Sequence, residues 1–264
     1  MAPAQNGRDR FLRQVRELGV DVSRETSDQL DALVSTLVRW QKAINLVGKT
    51  TIEGVWTRHV LDSAQLAPLV PAEAKSLADL GSGGGFPGLV LAALRPDLDM
   101  ILIEADARKA AFLGEAGRRM GLKKPPRVVI SRIEDAQESN ADVVTARALA
   151  PLGQLLVWAD RHRTDTAICL FHKGKGWQAE LNEAMKDWDI PCQPLASKTD
   201  RDAVILRIGS YTSAAGIRDR QPEGRRRQDH DGDQPRHGAG CRRRIRPADR
   251  SRSPRQRFNG PGRA

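Results

Sequence analysis

Cysteine is scarce in this chain: Cys169, Cys192 and Cys241 are its only thiols, far apart in 264 residues. That spacing excludes a disulfide framework and the paired thiols of a structural zinc site, so no metal is expected. Apolar runs are short too, and none approaches the ~20 residues that cross a bilayer. The opening MAPAQNGRDRFLRQV lacks the apolar stretch of a secretory signal. A reduced, cytoplasmic protein with no membrane span is expected. Aromatics make up 4% of the chain, and Trp40, Trp56, Trp158, Trp177 and Trp188 are expected in core or cap positions rather than as base-stacking platforms.

A charge excess is also missing from most of the chain. The formal net charge is +10, but residues 210–264 hold fifteen Arg, no Lys and six acids. Residues 1–209 carry 28 basic and 27 acidic side chains. With so neutral a body, affinity for a polyanion must come from a local patch. Beyond Ile217, Ile245 and Phe258 the last segment has almost no large apolar residues, so it cannot bury a core and is expected to be disordered. Arginine without lysine is also what GC-rich DNA gives in the wrong frame. Codons permitted for Asp219–Arg263, read one nucleotide out of frame, can encode GGVGKTT followed by an apolar run ending in DLD, resembling the start of a ParA-type chromosome-partitioning ATPase. A frameshift or gene overlap is the expected origin of this tail. Truncation after about residue 212 is expected to leave folding and activity intact.

What the chain does have is LADLGSGGGFPGLVLA, residues 77–92. An apolar run carrying Asp79 breaks into a loop with Gly81, Gly83, Gly84, Gly85 and Gly88, and a second apolar run follows at helical spacing. That pattern is a strand, a tight turn and a helix start, with Pro87 suited to the first helical turn. A helix N-terminus there would point free N–H groups at a ligand in the loop. Two templates fit. Gly83-x-Gly85-x-x-Gly88 matches the dinucleotide fingerprint, a weak signal alone. Asp79-x-Gly81-x-Gly83 resembles motif I of the S-adenosylmethionine-dependent methyltransferases. An acid before the loop suits a zwitterionic amino-acid end and would repel a pyrophosphate. Glu104, about twenty residues after the loop, ends the next expected strand and can take both ribose hydroxyls.

Helical spacing is expected over 8–19, 27–43 and 51–66. From residue 76 strands alternate with helices: strands 76–80, 99–104, 126–130, 141–146, 166–172 and 203–208, helices 87–95, 107–120, 152–161 and 176–187. The expected fold class is α/β, a Rossmann-like S-adenosylmethionine-dependent methyltransferase fold with an N-terminal helical cap and a disordered C-terminal tail. The expected divisions are a cap over 1–75, a methyltransferase domain over 76–209 and a tail over 210–264. Asp79, Glu104, Arg132–Asp135, Arg147 and Lys173 all fall at strand carboxyl ends, where ligands sit in such sheets.

INLVGKT (44–50), WTRHVLDS (56–63), LGSGGGFPG (80–88), SRIED (131–135) and TARA (145–148) occur in that order. Together they resemble the RsmG family, also called glucose-inhibited division protein B, across roughly residues 11–209. Ile44 departs from the aromatic that many relatives carry before Asn-Leu. The resemblance implies methyl transfer from S-adenosyl-L-methionine to N7 of a guanine in 16S ribosomal RNA, with the RNA or the small ribosomal subunit as partner and the enzyme a monomer. It places Ile133 and Glu134 at the adenine of the cofactor. With the loop, it makes Asp79, Gly81, Gly83, Phe86, Glu104 and Arg147 cofactor residues. It makes Arg58, His59 and Asp62 a substrate-side wall that Asn45 can anchor. Lys173, beside a glycine, can meet phosphate as a point charge.

Chemistry narrows the acceptor. The end of the fourth strand, Asp142-Val143-Val144-Thr145-Ala146-Arg147-Ala148, carries neither the Asn/Asp-Pro-Pro-aromatic motif of exocyclic-amine methylation nor a cysteine nucleophile. Arg147 cannot act as a base. Guanine N7 needs none, so alignment can carry catalysis, with Arg147 as the positioning and catalytic group. An NAD(P)-dependent oxidoreductase and a non-catalytic ribosome-assembly factor of the same fold are the competing readings.

Overall fold

The computed structural model describes residues 2–213. Helices α1 (Ala2–Glu17) and α2 (Arg24–Trp40) come first. Ser23 caps α2 by accepting from Thr26 N–H at 3.0 Å, and Leu30, Leu33, Val34 and Leu37 make its buried stripe. The stretch expected as one helix over 51–66 is broken. It runs as a 3₁₀ turn at Lys49–Thr51, a π-helical segment at Trp56–Leu61 and a short α3 at Asp62–Ala64. A π turn adds a residue per hydrogen-bonded ring and turns successive side chains off a regular α face.

The sheet follows, with strands β1 (Ser76–Leu80), β2 (Asp99–Glu104), β3 (Arg127–Ile130), β4 (Ala141–Arg147), β5 (Arg163–Lys173), β7 (Cys192–Ala196) and β8 (Val204–Ile208) in the order β3-β2-β1-β4-β5-β8-β7. The first five are parallel, whereas β8 runs antiparallel to β5 and β7 antiparallel to β8. A small pair, β6 (Trp188–Asp189) and β9 (Thr212–Ser213), stands apart. Helices α4 (Gly88–Leu94), α5 (Ala107–Met120) and α6 (Leu152–His162) make crossovers between parallel strands, and α7 (Trp177–Ala184) leads from β5 into β6. Strand order reverses between β1 and β4, and the crevice beyond their carboxyl ends is where such sheets bind ligands. The strands read as near-continuous apolar runs because helices cover both faces: Leu77, Ala78, Leu80, Val143 and Val144 are all fully buried.

The N-terminal helices share one core with the sheet, joining Phe11, Leu33 and Leu37 to Leu77, Leu89 and Leu102. At the other end, packing continues past residue 209. Tyr211 is buried, its hydroxyl donates to Leu156 O at 2.8 Å, and Arg163 lies 4.1 Å from its ring centroid while donating to its carbonyl. A truncation must therefore spare Ser213, which pairs with Trp188. Residues 210–213, expected to belong to the disordered tail, are instead packed and paired; the rest of that expectation, and the frame-shifted origin, fall on residues beyond 213 and lie outside the described residues. Among the described residues no helix is long and apolar enough to cross a membrane.

Candidate active site

The glycine loop between β1 and α4 is built around a buried carboxylate. Asp79 Oδ2 accepts from Gly88 N–H at 3.2 Å and Oδ1 accepts from Thr145 Oγ1 at 2.9 Å. Asp79 is only 1% exposed, and burial pushes its carboxyl up to about 6 against those bonds. It therefore lies beneath the loop rather than on the cleft wall, locking β1, β4 and the start of α4 together. The Gly88 N–H expected to be free for a ligand is the one it occupies. Gly81, at φ +63°, and Gly83, at φ +51°, take left-handed backbone and do face the cleft.

That cleft encloses about 610 Å³, within the range of small-molecule sites. Glu104 forms one wall. Its Oε2 accepts from Gly83 N–H and its Oε1 from Asp106 N–H, both at 2.8 Å. Two backbone donors thus fix the carboxylate, and each oxygen keeps a lone pair for a hydroxyl. Ile133 and Glu134 line the same cleft, with Ile133 O held by buried His162 Nε2 at 2.9 Å. Trp158, expected in a core or cap position, lines it too. So does the Leu46–Gly48 loop, which Gln41 anchors: Gln41 Oε1 accepts from Leu46 and Val47 N–H, and its amide donates to Val47 O.

Arg147 closes the cleft at the end of β4. Its Nη2 donates to His59 Nδ1 at 3.0 Å, so the imidazole proton must sit on Nε2, which donates to Thr51 Oγ1 at 2.8 Å; that hydroxyl donates to Gly48 O at 2.7 Å. The chain of bonds ties the strand end to the Leu46–Gly48 loop. Phe86 sits in the same cluster, its ring 5.1 Å from that of His59 and 5.3 Å from the Arg147 guanidinium carbon. Burial, reinforced by Arg147, lowers the His59 pKa to about 4. The unfolded chain titrates higher, so the stability His59 contributes is complete above about 6.5 and is lost as pH falls through about 4. Asp79 runs the opposite way: its contribution is complete below about 3.8 and is lost as pH rises through about 6. Imidazole NMR is expected to show His59 titrating at about 4 with its proton on Nε2, and Arg147→Ala is expected to raise that value. Titration of the intact protein near 6.5 would contradict the burial of His59 beside Arg147.

A second cavity of about 480 Å³ adjoins the first, and Arg147, Ala148 and Leu149 line both. Ala148 adopts φ +51°, a conformation costly for a residue with a Cβ. The expected Arg58, His59, Asp62 wall is divided between the two spaces, because the π-helical turn spoils the α-helical face. His59 faces the cofactor-sized cleft, whereas Arg58 and Asp62 face the second cavity. Arg58 pairs with Asp200 at 3.2 Å rather than with Asp62. Asp62 receives Arg147 at 3.4 Å, Thr199 Oγ1 at 2.6 Å and Gln65 Nε2 at 2.9 Å. Lys173, expected to meet phosphate, is instead buried and paired with Glu180 at 2.6 Å. His172 donates through Nε2 to Asp62 O at 2.8 Å, leaving buried Nδ1 without a partner among the described residues. Of the described cysteines, Cys169 is buried with its thiol pushed up to about 12, and Cys192 lies on β7 away from both cavities.

The chain is similar to known proteins across this same region. Residues 26–199 match the family model "GidB: rRNA small subunit methyltransferase G". The ribosomal RNA small subunit methyltransferase G of Paramagnetospirillum magneticum is 48% identical over 187 residues, covering 71% of this chain and 90% of that one. The protein of that name from Gluconobacter oxydans is 46% identical over 190 residues, covering 72% and 96%. Among solved structures, cofactor-bound Rv0187 from MTB superposes with a TM-score of 0.50 at 14% identity, covering 69% of this chain and 89% of that one, a likeness of fold. The glycine loop, the Arg147 partition and the divided helical wall all lie within the matched stretch, and the chain belongs to the rRNA small subunit methyltransferase G family.

Proposed function

We propose that this protein transfers a methyl group from S-adenosyl-L-methionine to N7 of a guanine in small-subunit ribosomal RNA. The observation that carries the proposal is Arg147 at the partition between a cofactor-sized cleft and a second cavity. When bound, S-adenosyl-L-methionine supplies an electrophilic methyl group. The left-handed glycines let the backbone lie close to it, and Glu104 would hold the ribose hydroxyls. Ile133 would pack on the adenine beside Glu134. Asp79 acts from below by fixing the loop.

The acceptor follows from what stands at the partition. A guanidinium donates protons and cannot take one. The neighbouring His59 Nδ1 lone pair is occupied by Arg147, and burial lowers the pKa of His172, making it a weak base. Guanine N7 needs no base, because its lone pair is free in the ring plane and no proton leaves when the N–C bond forms. Positioning then carries the rate, and Arg147, braced by His59, Asp62 and Phe86, is built to position. The antiparallel β8–β7 hairpin replaces the sixth strand of the 3-2-1-4-5-6 dinucleotide order, which favours a methyl donor over a nicotinamide.

Small-subunit RNA incubated with the protein and the donor, then treated with borohydride and aniline, is expected to break at one new guanine. Methylation found on an exocyclic amine or a ribose instead contradicts the proposal.

A further inference from the structure

The second cavity holds a polar pair that methyl transfer itself does not require. Lys173 ends β5, one residue beyond His172, which pairs in register with Arg147 on β4. Its ammonium donates to Ala150 O at 2.9 Å and meets Glu180 Oε2 at 2.6 Å, which leaves a third N–H. Glu180 Oε2 also accepts from Leu152 N–H at 2.9 Å, while Oε1 has no protein partner among the described residues. Both side chains line the cavity, and the Lys173 side chain is only 8% exposed. A phosphate brought here would meet the Glu180 carboxylate as well as the ammonium. The pair is therefore a poor anion site and a good adjacent donor and acceptor.

We propose that Lys173 and Glu180 read the target base, the ammonium donating to guanine O6 and the carboxylate accepting from N1–H. This rests on the guanine methylation proposed above. On a guanine, O6 lies between N7 and N1. A base whose N7 points at the Arg147–Leu149 partition therefore turns O6 and N1 toward groups beside that partition, where β5 places Lys173. An ammonium on O6 is an established way to recognise guanine. Adenine would set an amine against the ammonium and a lone pair against the carboxylate, so both contacts would fail. A cavity of about 480 Å³ suits one nucleotide, so the target base must enter unpaired or flipped out of its stack.

The test replaces the target guanine in synthetic small-subunit RNA by inosine, which keeps O6 and N1–H, or by 2,6-diaminopurine, which keeps N7 but reverses both groups. With the unaltered protein, inosine is expected to react within about threefold of guanine, and 2,6-diaminopurine at least ~100-fold more slowly. Glu180→Gln, whose amide can still accept from Leu152 N–H and can donate to N1 of diaminopurine, is expected to shrink that discrimination at least ~10-fold. Calorimetry with S-adenosylhomocysteine is expected to show unchanged cofactor affinity in that variant, which separates specificity from misfolding. Diaminopurine reacting as fast as guanine in the unaltered protein overturns the inference, and needs no variant to be seen. Unchanged discrimination in a Glu180→Gln protein of normal cofactor affinity overturns it as well. Failure to methylate the guanine RNA at all overturns the proposed function, and this inference with it.

Discussion

Arg147→Ala is expected to slow methyl transfer by at least ~100-fold while the protein still folds. The side chain ends β4 at the boundary of both cavities and touches His59, Asp62 and Phe86 at once. Without the guanidinium only the apolar Ala148 and Leu149 still border both cavities, and a misplacement of about 1 Å there can cost two orders of magnitude. The stability cost is modest, roughly 1–2 kcal/mol, because Asp62 keeps Thr199 and Gln65 as partners. Arg147→Lys is expected to recover little, since a point charge cannot serve His59 and Asp62 together as the planar fork does. Single-turnover methylation beside thermal melting checks this, and a wild-type rate in soluble Arg147→Ala would refute the role.

Gly81→Asp is expected to weaken S-adenosylhomocysteine binding by at least ~100-fold in calorimetry. Two effects combine. The backbone there is left-handed, at φ +63°, which a residue with a Cβ adopts only at a cost. A Cβ would also lie 2.5 Å from Leu149 Cδ1, on the wall shared by both cavities. Leu149 can turn aside for a methyl group, so Gly81→Ala is expected to lose roughly tenfold less than the charged variant. Unchanged affinity in Gly81→Asp would remove the glycine loop from the cofactor site.

The sheet was legible in the sequence because its inner strands are largely buried on both faces and read as near-continuous apolar runs, with Glu104, Arg147 and Lys173 marking their ends. The outer strand β7 was not. Its five residues, Cys192–Ala196, include an exposed Pro194 that only an edge position tolerates, and no alternation announces it. β6 and β9 are two residues each, too short for any periodic signal. The π-helical turn at Trp56–Leu61 hid the real partners of Arg58, His59 and Asp62, since an α-helical wheel puts them on one face. Burial of Asp79 and the pairing of Lys173 with Glu180 depend on contacts between distant segments, which strand-end position alone does not reveal. The left-handed Ala148 had no sequence signal at all, because nothing about an alanine announces positive φ.

The most direct measurement is nucleoside mass spectrometry of small-subunit ribosomal RNA from cells with the gene, without it, and carrying Arg147→Ala in its place. The account predicts one N7-methylguanine present in the first and missing from the other two. The same N7-methylguanine persisting in RNA from cells without the gene would contradict it.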